Sequence, residues 1–206
     1  MQIVSMSNSY PVDDVEACIV GEPDMPCIES DDHGILDLRL PLGREVALRL
    51  TSPTHAEVIF LMPGFEEDTT YADPFGAATD LEADLIEATA PVPWDETRGG
   101  LLAMVYDRPN QPDRQFKEGV SLTLTPTGDA STLYLNSNWL FDETLSSTSA
   151  SGTVFVLNLL PGEHVVRFEH PSADCHIELG WPTDQTGESR VYIEADWLTG
   201  VWVYCD

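Results

Sequence analysis

Thr148-Ser149-Ala150-Ser151-Gly152-Thr153-Val154-Phe155-Val156-Leu157-Asn158-Leu159-Leu160-Pro161-Gly162 reads as a polar turn, an apolar strand and a Pro-Gly corner. It leads into a second strand around Val166-Arg167-Phe168. An earlier stretch is built the same way. Ser30-Asp31-Asp32-His33-Gly34-Ile35-Leu36-Asp37-Leu38-Arg39-Leu40-Pro41-Leu42-Gly43 precedes the alternating run Val46-Ala47-Leu48-Arg49-Leu50. With Pro41 set against Pro161, Val46 meets Val166 and Leu48 meets Phe168, although the Gly-to-Pro spacing differs between the copies. A strand–corner–strand unit with one apolar face must bury that face against another sheet, so the repeat predicts an all-β protein.

Working outward, Val58-Ile59-Phe60-Leu61-Met62 is a buried-strand run closed by Pro63-Gly64. Residues 1–11 are polar and predicted to be loose. Residues 12–65 form a first β-sandwich module. A connector over 66–98 contains the turn Asp73-Pro74-Phe75-Gly76. Thr79-Asp80-Leu81-Glu82 then forms a capping box, and Leu81, Leu85 and Ile86 give an amphipathic helix over Asp80–Ala88, stopped by Pro91 and Pro93. Residues 99–206 form a second, larger module. Its strands fall at Leu101–Tyr106, Val120–Thr125, Leu133–Leu135, Val154–Leu157, Val165–Phe168, Ile177–Leu179, Val191–Ile193 and Val201–Tyr204. The expected architecture is two tandem prealbumin- or Ig-like sandwiches with a short helical connector.

The turn, strand, Leu-Pro corner and Val-rich strand, carried by Asp32, Gly34, Pro41 and Gly43 and again by Ser151, Gly152, Pro161 and Gly162, resemble the carboxypeptidase regulatory-like domain. That module has a transthyretin-like sandwich and is similar to the B-type repeats of bacterial collagen adhesins. The resemblance implies a non-catalytic module of secreted or surface proteins, acting as spacer, stabiliser or binding platform. Adhesin-type repeats often close an internal Lys–Asn bond. The single lysine here, Lys117, lies in a charged loop and is a poor candidate for it.

Composition bounds the partners. The 206 residues carry 36 acidic and 9 basic side chains, a formal charge of −27. Such a surface repels phosphate backbones and anionic headgroups, which argues against nucleic acid and membrane-surface binding. It attracts cations, basic proteins and amine-bearing ligands, and it also serves solubility or a salty medium. The first residues lack the basic start and apolar stretch of a leader, and no run is long and apolar enough to span a bilayer. Four cysteines allow three connectivities. Only Cys18–Cys27 with Cys175–Cys205 keeps each bridge inside one repeat. An even, local set of this kind fits an oxidising, extracytoplasmic compartment. The spacing lacks the C-x-x-C pattern a zinc site prefers.

Several groups are candidate sites. Asp31 and Asp32, with Glu29 and the Asp13-Asp14 pair nearby, offer hard oxygens for calcium, although no EF-hand pattern is present and Asp-Gly sequences also make ordinary turns. No other cofactor is expected. His164, His170, Cys175 and His176 follow the second corner, where intradiol dioxygenases hold iron with two histidines and two tyrosines. Tyr134 and Tyr192 would be the tyrosines here, but the tight His-x-His arrangement is missing. The serine-rich Ser146–Gly152 stretch lacks a G-x-S-x-G elbow and reads as a turn. Trp139, Trp181 and Trp202, in the tryptophan-rich second half, are candidates for stacking on sugars. The expected function is a non-enzymatic structural or adhesive module meeting a protein or polysaccharide. The alternatives are a carbohydrate-binding module and, behind it, a metal-dependent dioxygenase-like enzyme.

Overall fold

A computed structural model describes the chain apart from residues 6–8, 68–74, 110, 112 and 127 and the side chain of Glu82. Among the described residues there are fifteen strands and one helix: β1 (Ile3–Ser5), β2 (Glu16–Ile19), β3 (Ile28–Glu29), β4 (Val46–Thr51), β5 (Val58–Met62), β6 (Phe75–Ala77), α1 (Asp80–Thr89), β7 (Gly99–Tyr106), β8 (Ser121–Thr125), β9 (Ser131–Tyr134), β10 (Thr153–Leu159), β11 (Gly162–Glu169), β12 (Cys175–Leu179), β13 (Trp181–Pro182), β14 (Glu188–Ile193) and β15 (Leu198–Cys205). The protein is all-β, as its alternating runs predict.

One nine-stranded mixed sheet organises the molecule, in the order β3-β2-β4-β5-β15-β7-β10-β9, with β12 also paired to β15. The closing strand β15 is its centre. It runs parallel to β7 along its length and parallel to β5 over Leu198–Gly200, while β12 pairs with its last half. Both faces of this sheet are largely covered, so β7 reads as an apolar run from Leu101 to Tyr106 instead of a clean alternation. One face packs against a four-stranded sheet, β13-β14-β11-β8. Leu101, Ala103, Val105, Val201 and Val203 interdigitate there with Leu122, Leu124, Val166, Phe168, Val191 and Ile193. The opposite face is covered in two pieces. Ile3 and Phe75 of the parallel β1–β6 pair cap Val46, Leu48, Phe60 and Trp202. Ile86 of α1 and the following Ala90, Val92 and Trp94 cover Phe155, Leu157 and Leu133.

Several expectations are corrected. Residues 1–11 are not uniformly loose, because β1 pairs with β6 and Ile3 is fully buried. Leu36–Leu40 forms no ladder beyond the Ile35–Gln2 bridge, whereas its partner in the repeat is the full strand β10. The second corner carries the chain from one sheet to the other, from β10 into β11; the first leads an unpaired segment into β4. The boundaries 12–65, 66–98 and 99–206 do not coincide with a break in pairing. Strand β5 is hydrogen-bonded to β15, and Ala47, Ile59 and Leu61 share one core with Leu101 and Val203. The helix exists, one residue longer than expected, but its buried side is different. Leu81 and Leu85 are 77% and 60% exposed, and Ile86 packs inward. The Glu82 half of the capping box and Asp73-Pro74 of the expected turn lie outside the described residues.

The repeat does hold at its glycines. Gly34 and Gly152 both sit at positive φ, +69° and +59°. A Cβ on either would strike a backbone carbonyl, that of Ile3 for Gly34 and that of Val105 at 2.5 Å for Gly152. Only glycine meets both conditions without strain. Polar residues set each turn. The Asp31 carboxylate accepts the amides of His33 and Ile35, and the Ser149 and Ser151 hydroxyls accept those of Ser151 and Thr153.

Both disulfides, Cys18–Cys27 and Cys175–Cys205, are formed, and no cysteine is free. The second fastens β12 to β15 at the centre of the large sheet. Two intact bridges point to an oxidising, extracytoplasmic setting. Among the described residues, no helix is long and apolar enough to cross a membrane.

Candidate functional site

The two caps on the large sheet do not meet. Between the β1–β6 pair and α1, the sheet is left open as a cleft with two connected lobes, of about 540 Å³ and about 330 Å³. Strand alternation places the floor. Val58 and Phe60 of β5, Leu198 and Trp202 of β15, Leu102, Met104 and Tyr106 of β7, and Phe155 and Leu157 of β10 all line the two lobes, and alternation along each strand puts them on one face. Gly200 lines the floor without a side chain, and a Cβ there would press on the Phe60 ring at 2.7 Å. Ala56, Glu57, Ala78, Leu102, Met104 and Leu198 belong to both lobes and form the passage between them.

A row of aromatic rings runs from Trp139 in the smaller lobe through Phe116, Tyr106 and Trp202 in the larger one to Phe75. Trp139, 41% exposed, meets Phe116 edge-on at 5.5 Å between centroids. Phe116 stacks on Tyr106 at 5.2 Å, Tyr106 meets Trp202 at 6.1 Å, and Trp202 stacks on Phe75 at 4.4 Å. Arg114 reaches across this row, its guanidinium 3.6 Å from the Tyr106 centroid and 4.7 Å from that of Trp202. It forms an ion pair with Glu178 at 2.7 Å. In the smaller lobe, Trp94 donates its indole N–H to the Asp196 carboxylate at 3.1 Å.

The tryptophans named as candidates for sugar stacking lie in different places. Trp139 is at the cleft mouth and Trp202 is buried in its floor. Trp181 belongs to the small sheet, packs against the sandwich core and donates to the Val46 carbonyl at 3.3 Å. Trp94 joins Trp139 in the smaller lobe instead. Met104, Leu102 and Leu198 complete the site. The signal for Leu102 and Met104 was the apolar run of β7 from Leu101 to Tyr106, which a strand shows when both faces are covered.

The other candidates are placed as follows. One Asp31 oxygen serves two backbone amides, and the hydrogen bond from Ile35 in particular holds its carboxyl below the ordinary range. Asp32 is exposed, 3.8 Å from His33, and Glu29 lies on β3 opposite Glu16. Among the described residues, Asp31, Asp32 and Glu29 do not converge as a ligand group. The cluster that does is Glu16 with Cys18 and Cys27, whose sulfurs are consumed by the disulfide. The histidines are dispersed. His164 is buried with Nε2 2.7 Å from the Leu160 carbonyl, His170 accepts the Ser172 amide, and His176 stacks on Tyr204 at 5.0 Å. Tyr134 accepts the Leu122 amide, and burial pushes its phenol up, which keeps the proton an iron ligand would have to lose.

No protein-family model matches the chain. No curated protein matches it. Among solved structures, it is similar to the minor pilin GBS52 of Streptococcus agalactiae, at 10% identity and a TM-score of 0.32, over 100% of this chain and 87% of that one. It is also similar to the Bacillus anthracis TIE protein, at 11% identity and a TM-score of 0.31, over 100% of this chain and 33% of that one. Both scores lie below the level at which two chains share a fold, so the functional reading rests on the site itself.

Proposed function

We propose that this chain is a non-catalytic binding module of an extracytoplasmic structural or adhesive protein, and that it engages its ligand in the cleft on the large sheet. The observation that carries the reading is the cleft itself, a concave site with an apolar floor and few polar groups, within the size range of ligand sites. Its floor is built from central strands, β5, β15 and β7, and the disulfide ties β12 to the same β15. A floor anchored in this way is pre-organised, which lowers the ordering penalty on binding. Two of the polar groups that line it are engaged in structural bonds, Arg114 with Glu178 and Asp196 with Trp94.

Sugar stacking on Trp139 is the second reading, favoured by that ring's exposure beside the polar Asn136–Asn138 turn. Titration with the neutral dye Nile red tests the main reading. One saturable site is expected, lost in the cleft-filling variant Leu102→Trp while the melting temperature is kept. Absence of saturable binding, or binding indifferent to Leu102→Trp, refutes it.

A further inference from the structure

The two lobes of the cleft differ in charge, and that difference defines a ligand. Among the described residues, the charged side chains lining the helix-side lobe are Glu57, Glu87 and Asp196, all carboxylates. The remainder of its lining is almost wholly apolar: Leu102, Met104, Phe155, Leu157 and Ile86, with the rings of Trp94 and Trp139. Glu57, Glu87 and Asp196 are exposed, so their charges stand at the mouth above an apolar floor. Asp196 is held in place by the Trp94 indole and by its own amide, which donates to the Arg98 carbonyl at 2.7 Å. Among the described residues, the cation lining the neighbouring lobe is Arg114, which is paired with Glu178 and has an almost fully buried side chain, so it leaves the negative mouth uncompensated.

We infer that the helix-side lobe takes an organic ammonium ion carrying an apolar body. This rests on the binding-module reading of the same cleft and specifies its ligand. The apolar body replaces water over Leu102, Met104 and Phe155. The ammonium stays at the mouth among Glu57, Glu87 and Asp196, within reach of the faces of Trp94 and Trp139, where ring quadrupoles attract a cation. An anionic headgroup on the same tail meets three like charges. A sugar headgroup gains no charge attraction. The lobe is of a size to hold a short alkyl chain and its head.

The overall charge of −27 attracts any cation to any part of this surface, so the test must separate site from field. Three probes with one octyl tail, octyltrimethylammonium, octyl sulfate and octyl glucoside, are titrated calorimetrically below their micelle concentrations. The ammonium is expected to bind one site about tenfold or more tighter than the other two. The triple variant Glu57→Gln, Glu87→Gln, Asp196→Asn is expected to erase most of that preference and keep residual tail binding. A control triple, Glu163→Gln, Glu169→Gln, Asp184→Asn, removes the same charge from the outer side of the small sheet and its adjoining turn, and is expected to retain the preference. Equal affinity for all three probes, or an equal loss in both triples, overturns the ammonium site while leaving the cleft a binding site. Failure of every probe to bind removes the binding-module reading with it.

Discussion

Arg114 and Glu178 form an ion pair at 2.7 Å with their side chains only 4% and 9% exposed, and the Arg114 guanidinium lies over the Tyr106 ring, 3.6 Å from its centroid. The pair joins the loop after β7 to β12, and Arg114 lines the larger lobe of the cleft. Breaking a buried pair by removing one partner leaves the other charge desolvated. Glu178→Leu is therefore expected to lower unfolding free energy by about 3–5 kcal/mol, and adding Arg114→Leu is expected to restore much of the loss. Urea denaturation of the two single variants and the double variant measures this. A double variant as unstable as the sum of the singles contradicts it.

The disulfides close loops of different length, with sequence separations of 9 for Cys18–Cys27 and 30 for Cys175–Cys205. Chain entropy predicts losses of about 2.5 and about 3.5 kcal/mol when the respective pairs are replaced by alanine. Thermal melting of Cys18→Ala/Cys27→Ala and of Cys175→Ala/Cys205→Ala compares them. The larger drop is expected for the second, which also borders the central strand.

Gly34→Ala and Gly152→Ala are expected to destabilise the protein by about 2 kcal/mol or more each, since both add a Cβ at positive φ and against a carbonyl. Gly43→Ala also sits at positive φ, +65°, but meets open space, so a smaller loss, about 1 kcal/mol, is expected there. Denaturation midpoints for the three variants give the ranking directly.

Acid unfolding follows from four aspartates held below the ordinary value of 3.8. Their main causes are hydrogen bonds from the Ile35 amide to Asp31, the Thr97 hydroxyl to Asp95, the Arg108 guanidinium to Asp107 and the Thr144 hydroxyl to Asp142. A carboxyl depressed in the folded state contributes stability that is complete above its unfolded value and is lost as pH falls through its folded value. The melting temperature is expected to drop below about pH 4, and the drop should be shallower in Asp142→Asn. At neutral pH, added sodium chloride is expected to raise it, because salt screens the repulsion of a −27 chain. A melting temperature indifferent to salt contradicts the second expectation.

The strands were legible where burial is strong and local. Val58–Met62 is predicted to the residue, and the eight strands of the second half are each found within a few residues. The turn glycines were legible too, because Gly34 and Gly152 answer a local backbone demand. What was not legible depends on partners distant in sequence. Ile3 is buried only because β6 pairs with β1, and the parallel contact of β5 with β15 spans most of the chain. Leu81 and Leu85 have the right spacing for a buried stripe, yet α1 sits over the sheet at a rotation that turns Ile86 inward. The cleft escaped for the same reason. Its floor comes from four strands whose neighbours no local pattern reveals, and Trp181 was grouped with Trp139 and Trp202 although it serves the other side of the large sheet.

Met104 lies where the two lobes join, while Met62 is buried beneath the β1–β6 cap and Met25 is in a loop between β2 and β3. Methyl NMR of the methionines during titration with octyltrimethylammonium locates the bound probe. A saturable shift of the Met104 methyl is expected, with those of Met25 and Met62 nearly unmoved. A probe that binds while the Met104 methyl stays in place would contradict binding in the cleft.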